Sequence, residues 1–406
     1  MLGAGLTGVA TALELARRGS YVTLVEQDER AVNRASLRNE GKIHLGFIYA
    51  NDSSLITARL QLQGALRFRS LLARWIGSHA DTLPKSAPFI YLVARDSLLS
   101  VEKLEQHYSA VERMYRDYLK DSRACDYLGV RAARLYQACE IKEISSFFDI
   151  RAFSAAFRTA EIAIDTQDLA QRLRAAIRDS ERVCFLPRHR VTSVTRANGV
   201  HRVEGAGPEG CWRLDADQVV NALWENRLAL DAAFGLECAP GWLHRLKYRV
   251  IARVPERFRG APSATMVLGR YGDVVMRHDG TAYLSWYPTG LAGWSHDIAP
   301  PSSWQAACRG ELSDSDKATI AEETLSALDS WYPGIADAQP LIVDAGAIVA
   351  YGRTDVDDAA SGLHNRSRVG VSSSEGYHSV DPGKLTTAPL FAALAAERVL
   401  GVNIPA

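Results

Sequence analysis

The sequence predicts an α/β protein: a doubly wound domain assembled from separated stretches of chain, with an α+β domain carrying an antiparallel sheet inserted into it. Three observations lead there. The chain opens on a glycine-rich turn followed by a helix-like and then a strand-like stretch, MLGAGLTGVATALELARRGSYVTLVEQD. Strand-then-helix segments recur in the middle and at the end, near 154–179 and 369–400. Between them run β-branched and aromatic stretches with a hairpin signal at Asp279-Gly280, which read as antiparallel strands. Together they describe a parallel-sheet domain interrupted by a second domain.

The 406 residues suffice for two packed units. Lys+Arg and Asp+Glu both number 47, so neither nucleic acid nor an anionic membrane is expected as the main partner, since both select basic surfaces. Six scattered cysteines, with no CxxC and no His at zinc-ligand spacing, fit a reduced, cytoplasmic setting and no metal. The longest apolar runs, such as 390–396, are too short to span a bilayer, and no secretion signal opens the chain. A soluble protein acting on a small molecule is the expectation.

In order, a helix is expected over Thr7 to Arg18, stopped by Gly19, then a strand over Tyr21 to Val25. Only Met1 and Leu2 precede the turn, whereas a strand usually has about five residues. The spacing therefore predicts that the rest of the first strand lies upstream of Met1. A polar stretch over 31–52 leads into a long helix, Ser53 to Ser78. Strand Phe89 to Ala94 and helix Val101 to Leu119 follow. Next come strand Ser154 to Ile164, helix Thr166 to Asp179, and strands over Val183 to Leu186, Val191 to Thr195 and Gln218 to Ala222. Arg245 to Pro255, Asp273 to His278 and Ala282 to Trp286 read as antiparallel strands, with Trp286 and Tyr287 at the domain interface. Helix Asp316 to Tyr332, strands Leu341 to Ala350 and Val369 to Val371, and helix Ala388 to Leu400 close the chain. The cofactor domain is expected to comprise 1–80, 155–230 and 345–406, and the substrate domain 81–154 and 231–344.

Gly3, Gly5 and Gly8 form GxGxxG at a strand-to-helix turn, with Glu26 about 18 residues past the last glycine. Gly3 permits the tight turn, Gly5 leaves room for a pyrophosphate, and Gly8 lets helix and sheet approach. Leu6 and Thr7 open the helix, whose first-turn amides attract an anion. Glu26, with Gln27 beside it, suits ribose hydroxyls and would repel a 2′-phosphate, which disfavours NADP. A Rossmann-like dinucleotide site follows, but the motif alone does not choose between NAD and FAD.

Four segments carry a resemblance that does choose. DQVVNALWENR, 217–227, is similar to the returning VVNAAG strand of FAD-dependent oxidoreductases of the D-amino-acid oxidase superfamily, with Leu223 and Trp224 replacing small residues. IAIDTQDLAQRL, 162–173, is similar to the strand-to-helix step of that superfamily. SLRNEGKIHLGFIYANDSSLITARL, 36–60, resembles the Asn-x-Gly-x-x-His-x-Gly stretch of L-2-hydroxyglutarate oxidase and FAD-dependent glycerol-3-phosphate dehydrogenases. GYHSVDPGKLTTAP, 376–389, resembles the Gly-Gly-Lys-Leu-Thr-Thr of the latter, with Pro382 for the first glycine. The resemblance implies a discontinuous Rossmann-like FAD-binding domain and an inserted α+β substrate domain. It implies FAD contacts from Asn39, Gly41, Lys42, Val191, Ala222, Gly376, Tyr377, Gly383, Lys384, Leu385 and Thr386. No cysteine lies near the C-terminal flavin segment, so a non-covalent FAD is expected.

Hydride transfer from a carbon beside a hydroxyl or amine needs a proton acceptor and an anchor for the substrate's acid group. His44 is the first candidate for the proton, His378 its competitor, and Tyr49 a weaker one. Arg353 lies where the resemblance places a substrate-reading arginine, able to grip a carboxylate or phosphate with two bonds. Lys384 is expected to stabilise the reduced ring. A small 2-hydroxy acid or related alcohol is the leading substrate; an amine or amino acid on the same fold is the alternative, and a flavin-binding protein without turnover a third. Oxygen, a quinone and a carrier protein all stay open as electron acceptor.

Overall fold

A computed structural model describes residues 1–121 and 125–401. Its first sheet is built around three residues. Leu2 N donates to Val220 O, Gly3 N to Val25 O, Val25 N to Met1 O and Ala222 N to Leu2 O. Met1 to Gly3 thus bridge two parallel strands, Val22–Val25 and Val219–Asn221, with Leu2 as the pairing residue. Val183–Leu186 extends the sheet in parallel beyond the former, and Tyr377–Asp381 beyond the latter; Gly370–Ser374 adds an antiparallel edge.

Every residue of the helix Leu6–Arg17 from Leu6 to Ala16 is buried, because it packs between this sheet and the helices Ile56–Ile76 and Ala388–Val399. Its small residues allow that approach: a Cβ on Gly8 would fall 1.9 Å from the Gly3 carbonyl oxygen.

The second body is a nine-stranded sheet. Its longest strands, Trp242–Arg253 and Gln339–Tyr351, pair antiparallel along nearly their whole length. Thr281–Trp286, Gly272–Met276, Ser263–Val267, Phe89–Ala94, Phe153–Thr159 and Tyr136–Ala138 continue it, and Leu291–Ser295 forms the other edge. One face is covered by the helix Asp314–Asp329 with Phe148, Trp331 and Tyr332 in the core. A meander of Arg190–Ala197, Val200–Gly207 and Gly210–Ala216 forms a separate sheet that shares a core with the first through Val194 and Val203.

The mixed α/β class and the discontinuous build agree with the sequence reading, and the hairpin at Gly280 has the positive φ of 78° that its turn needs. Other elements were hidden. Ser263–Val267 and Tyr377–Asp381 are fully buried strands spelled with Ser, Thr, His and Asp, so they lack an apolar pattern. Val200–Gly207 and Gly210–Ala216 are half exposed, and their alternation rests on few apolar residues.

Helix Ile56–Ile76 meets the C-terminal loop at Gly64, where a Cβ would lie 2.9 Å from the Thr386 carbonyl oxygen and 2.9 Å from Thr387 Cγ2. Alanine favours a helix over glycine by about 1 kcal/mol. Overpacking against backbone costs roughly 1–3 kcal/mol and wins here. Gly64→Ala is expected to lower the thermal midpoint measured by circular dichroism; a stabilised variant would refute the close packing.

Candidate active site

A cavity of about 470 Å³ runs from the glycine turn to the nine-stranded sheet, within the range of small-molecule sites. At one end Gly3, Gly5, Leu6 and Thr7 form its floor, and Ala222 lies beside them. Gly3 takes φ 89°, and its Cβ would lie 2.8 Å from the Ala222 oxygen, so the turn admits only glycine there. Gly5 caps the helix without a side chain, which leaves the first turn facing the cavity; Leu6 N donates to Ser36 Oγ at 2.9 Å. Glu26 and Gln27 line the same end, with Val191 on the meander. Glu26 is held by the amides of Ala4 and Asp28, at 2.7 and 3.0 Å, and burial pushes its carboxyl up to about 7.

The other end is lined by Asn39, Glu40, Lys42, His44, Lys247 and Tyr283 on one side, and by Gly383, Lys384 and Leu385 on the other. Asn39 shapes its own loop: its amide donates to Ala35 and Ser36 carbonyls and its oxygen accepts from Gly41 N. Lys42 is 2% exposed and consumed, with Nζ 2.7 Å from Asp273 Oδ1 and bonded to Thr265 Oγ1. Burial raises the Asp273 carboxyl, but the charges of Lys42 and Lys247 more than offset it and hold it below its ordinary value.

His44 is 4% exposed, and neither ring nitrogen has a hydrogen-bond partner. Nε2 lies 3.6 Å from Glu40 Oε1 and Nδ1 3.9 Å from Glu161 Oε2, with the Tyr49 ring edge-on at 5.8 Å. Its backbone amide donates to Thr386 Oγ1, which ties it to the C-terminal loop. Burial opposes charge on Glu40, yet His44, Lys384 and Lys247 hold it well below the usual carboxylate range. Burial lowers Lys384 to about 8 against the pull of Glu40.

Several expected site residues stand elsewhere. Gly8 and Gly41 pack behind the wall: a Cβ on Gly41 would fall 2.1 Å from the Ile164 oxygen. Thr386 is wholly buried behind Leu385 and acts through His44 N. Tyr49 is buried beside His44 rather than lining the cavity. Gly376, Tyr377 and His378 are corrected outright. They sit at the amino end of the strand Tyr377–Asp381, whereas a parallel sheet binds ligands beyond its carboxyl ends, where Gly383 and Lys384 lie. There Tyr377 bonds Asn221 and Asp231, and His378 bonds Ser373 and Gln218, with burial lowering its imidazole to about 4. Arg353 is exposed, because the chain leaves the strand end toward the surface; the buried arginine of this region is Arg366.

Glu40, Glu161, Lys247, Tyr283 and Arg366 went unnoticed in the sequence. Lys247 and Tyr283 carry a legible signal, since both lie in stretches read as strands, but only the sheet pairing shows which face they take.

A glycine-floored groove beside a helix N-terminus, a carboxylate at the second strand, and a polar inner chamber define a dinucleotide-dependent enzyme of the Rossmann-like class. A sequence model of the FAD dependent oxidoreductase family, DAO, matches residues 2–398, and the chain belongs to that family. Its cofactor is FAD, and it is an oxidoreductase. No curated protein matches the sequence. Solved structures of similar fold include glycine oxidase from Geobacillus kaustophilus, 16% identical over 99% of this chain and 94% of that one, TM-score 0.71. Iminodiacetate oxidase from Chelativorans sp. BNC1 is 17% identical over 100% and 96%, TM-score 0.68. FAD-bound L-alpha-glycerophosphate oxidase from Mycoplasma pneumoniae is 16% identical over 98% and 93%, TM-score 0.66. At these identities they share the fold. Among the described residues, no helix is long and apolar enough to cross a membrane.

The residues present fit FAD. Gly5 is the test: a Cβ would meet Ser36 Oγ at 3.1 Å and narrow the groove floor. Gly5→Asp adds bulk and a negative charge where a pyrophosphate belongs. The variant is expected to purify folded, by circular dichroism, with less than a tenth of the wild-type flavin content; normal flavin content would remove the groove from the cofactor site.

Proposed function

We propose that the enzyme oxidises a small 2-hydroxy acid, or a related polar alcohol, to the corresponding carbonyl compound. The observation that carries this reading is His44: a buried imidazole in the cavity with both nitrogens unpartnered and a carboxylate near each. A buried polar group without a partner is costly, and at the cavity wall a ligand can supply that partner. A hydroxyl must lose its proton as the carbon gives up hydride, whereas a neutral amine needs no base. That difference favours the alcohol.

FAD, when bound, is the hydride acceptor. In this reading Gly3, Gly5, Leu6, Thr7, Glu26, Gln27 and Val191 hold its adenosine and pyrophosphate, and Ala222, Gly383, Lys384 and Leu385 its flavin end. His44 takes the substrate hydroxyl proton at a ring nitrogen, and Glu40 and Glu161 stabilise the imidazolium that forms. Lys384 places positive charge where the ring gains negative charge on reduction. Lys247 and Arg366 supply positive charge for the substrate's acid group. The nine-stranded sheet, with Lys247 and Tyr283 on its cavity face, is the substrate-facing part of the enzyme.

Anaerobic rapid mixing with 2-hydroxy acids, amino acids and polyol phosphates tests this by loss of flavin absorbance. Hydroxy acids are expected to bleach the flavin, and His44→Asn to slow that step by about 10²–10⁴-fold with flavin content unchanged, the usual worth of a general base. Bleaching by amino acids alone, or an unslowed variant, would overturn the reading.

A further inference from the structure

Next to Lys247 and Lys384, which line the cavity, stands a buried group that the hydride chemistry does not use. The Lys247 ammonium lies 5.7 Å from the Tyr287 ring centroid. Arg245 and Arg366 are 4% and 8% exposed, and the Nε of each has no partner. One Arg245 Nη donates to the Tyr287 hydroxyl at 2.7 Å and to Asp355 Oδ1 at 3.2 Å, and the hydroxyl donates to the same oxygen at 2.6 Å.

Asp355 does not belong to the sheet. It lies in the 352–365 loop, whose outer anchors are a surface contact between Arg270 and Asp357 and an Asn51 side-chain bond to the Ala359 carbonyl. Val356 N also donates to Asp355 Oδ1, and the carboxylate is only 10% exposed. The loop therefore delivers a carboxylate onto the buried Arg245, whose charge also acts on Arg366.

The charges around it decide what this does. Lys42 is paired with Asp273, and Lys247 and Lys384 share Glu40. Among the described residues Arg366 has no ion-paired carboxylate, and burial, then the charge of Arg245, lowers its guanidinium to about 10. Without Asp355, Arg245 would be a second uncompensated guanidinium beside Arg366, and the site would suit a dianion. With Asp355 in place, one anion position is already filled, because a buried cation demands a paired charge.

We propose that Asp355 is a specificity-determining residue: it occupies the anion position of Arg245 from within the chain and restricts the site to substrates with a single acid group. The proposal rests on the reading of this cavity as a hydroxy-acid site. A second carboxylate on the substrate would meet the negative charge of Asp355, a repulsive element of the kind that sets selectivity.

Ligand binding tests it without turnover. Butyrate and succinate match in carbon count and differ in one acid group, and each is titrated into the FAD-loaded enzyme by its perturbation of the flavin spectrum. Wild type is expected to bind butyrate at least tenfold more tightly than succinate. Asp355→Asn keeps the shape and an acceptor for Val356 N, and is expected to narrow that ratio at least tenfold through tighter succinate binding. Tyr287→Phe removes one of the donors to Asp355 and is expected to shift the ratio the same way by less. A ratio unchanged in both variants, a wild-type preference for succinate, or no binding of either acid to wild type overturns the proposal. A ratio that responds in an enzyme not reduced by hydroxy acids would instead overturn the hydroxy-acid reading alone.

Discussion

The cavity depends on the path of one segment, Ser36 to Gly46, and buried charge fixes that path. At its start Arg249, 2% exposed, forks onto Asp344 and donates a third bond to the Leu37 carbonyl, while Arg38 lies 3.0 Å from the same aspartate. In the middle Lys42 reaches Asp273 across the nine-stranded sheet. At its end Leu45 N donates to the fully buried Glu161. Removing one partner of a buried pair leaves an unpaired charge and costs about 3–5 kcal/mol, so these contacts act as rigid pins. They hold the segment between the two sheets, and the segment carries Glu40 and His44 to the cavity.

The glycine turn obeys a second constraint, steric rather than electrostatic. Gly3, Gly8 and Gly41 each bring backbone against backbone, and side chains there would collide with carbonyls. The close approach brings the helix N-terminus onto the sheet and leaves the groove floor free of side chains. Met1 to Gly3 belong to the same arrangement: the strands on both sides hydrogen-bond to them, and Leu2 is buried in the core.

How much of this the sequence exposed follows from the range of each interaction. The glycine turn, Glu26, His44 and the Gly383-Lys384 loop are local patterns, and all four line the cavity. The strands Val183–Leu186 and Phe89–Ala94 are continuous apolar runs and were legible residue for residue. Glu161, Lys247 and Arg366 were not, because segments far apart in the chain bring them to His44, to the cavity and to the neighbourhood of Lys384, respectively. His378 and Arg353 show the opposite failure. Each sits next to a legible motif, but strand direction puts His378 at the wrong end of its sheet, and Arg353 lies past the end of the strand Gln339–Tyr351, exposed. A histidine of ordinary sequence context gives no sign of whether its ring nitrogens will be satisfied, and that distinction separates His378 from His44.

The central claim, that His44 acts on the substrate hydroxyl, is tested most directly by a crystal structure of the FAD-loaded enzyme with a non-reacting hydroxy-acid analogue. The account predicts the analogue's hydroxyl within hydrogen-bonding distance of a His44 ring nitrogen and its acid group toward Lys247 and Arg366. A hydroxyl facing away from His44, with the imidazole bonded only to Glu40 or Glu161, would contradict it.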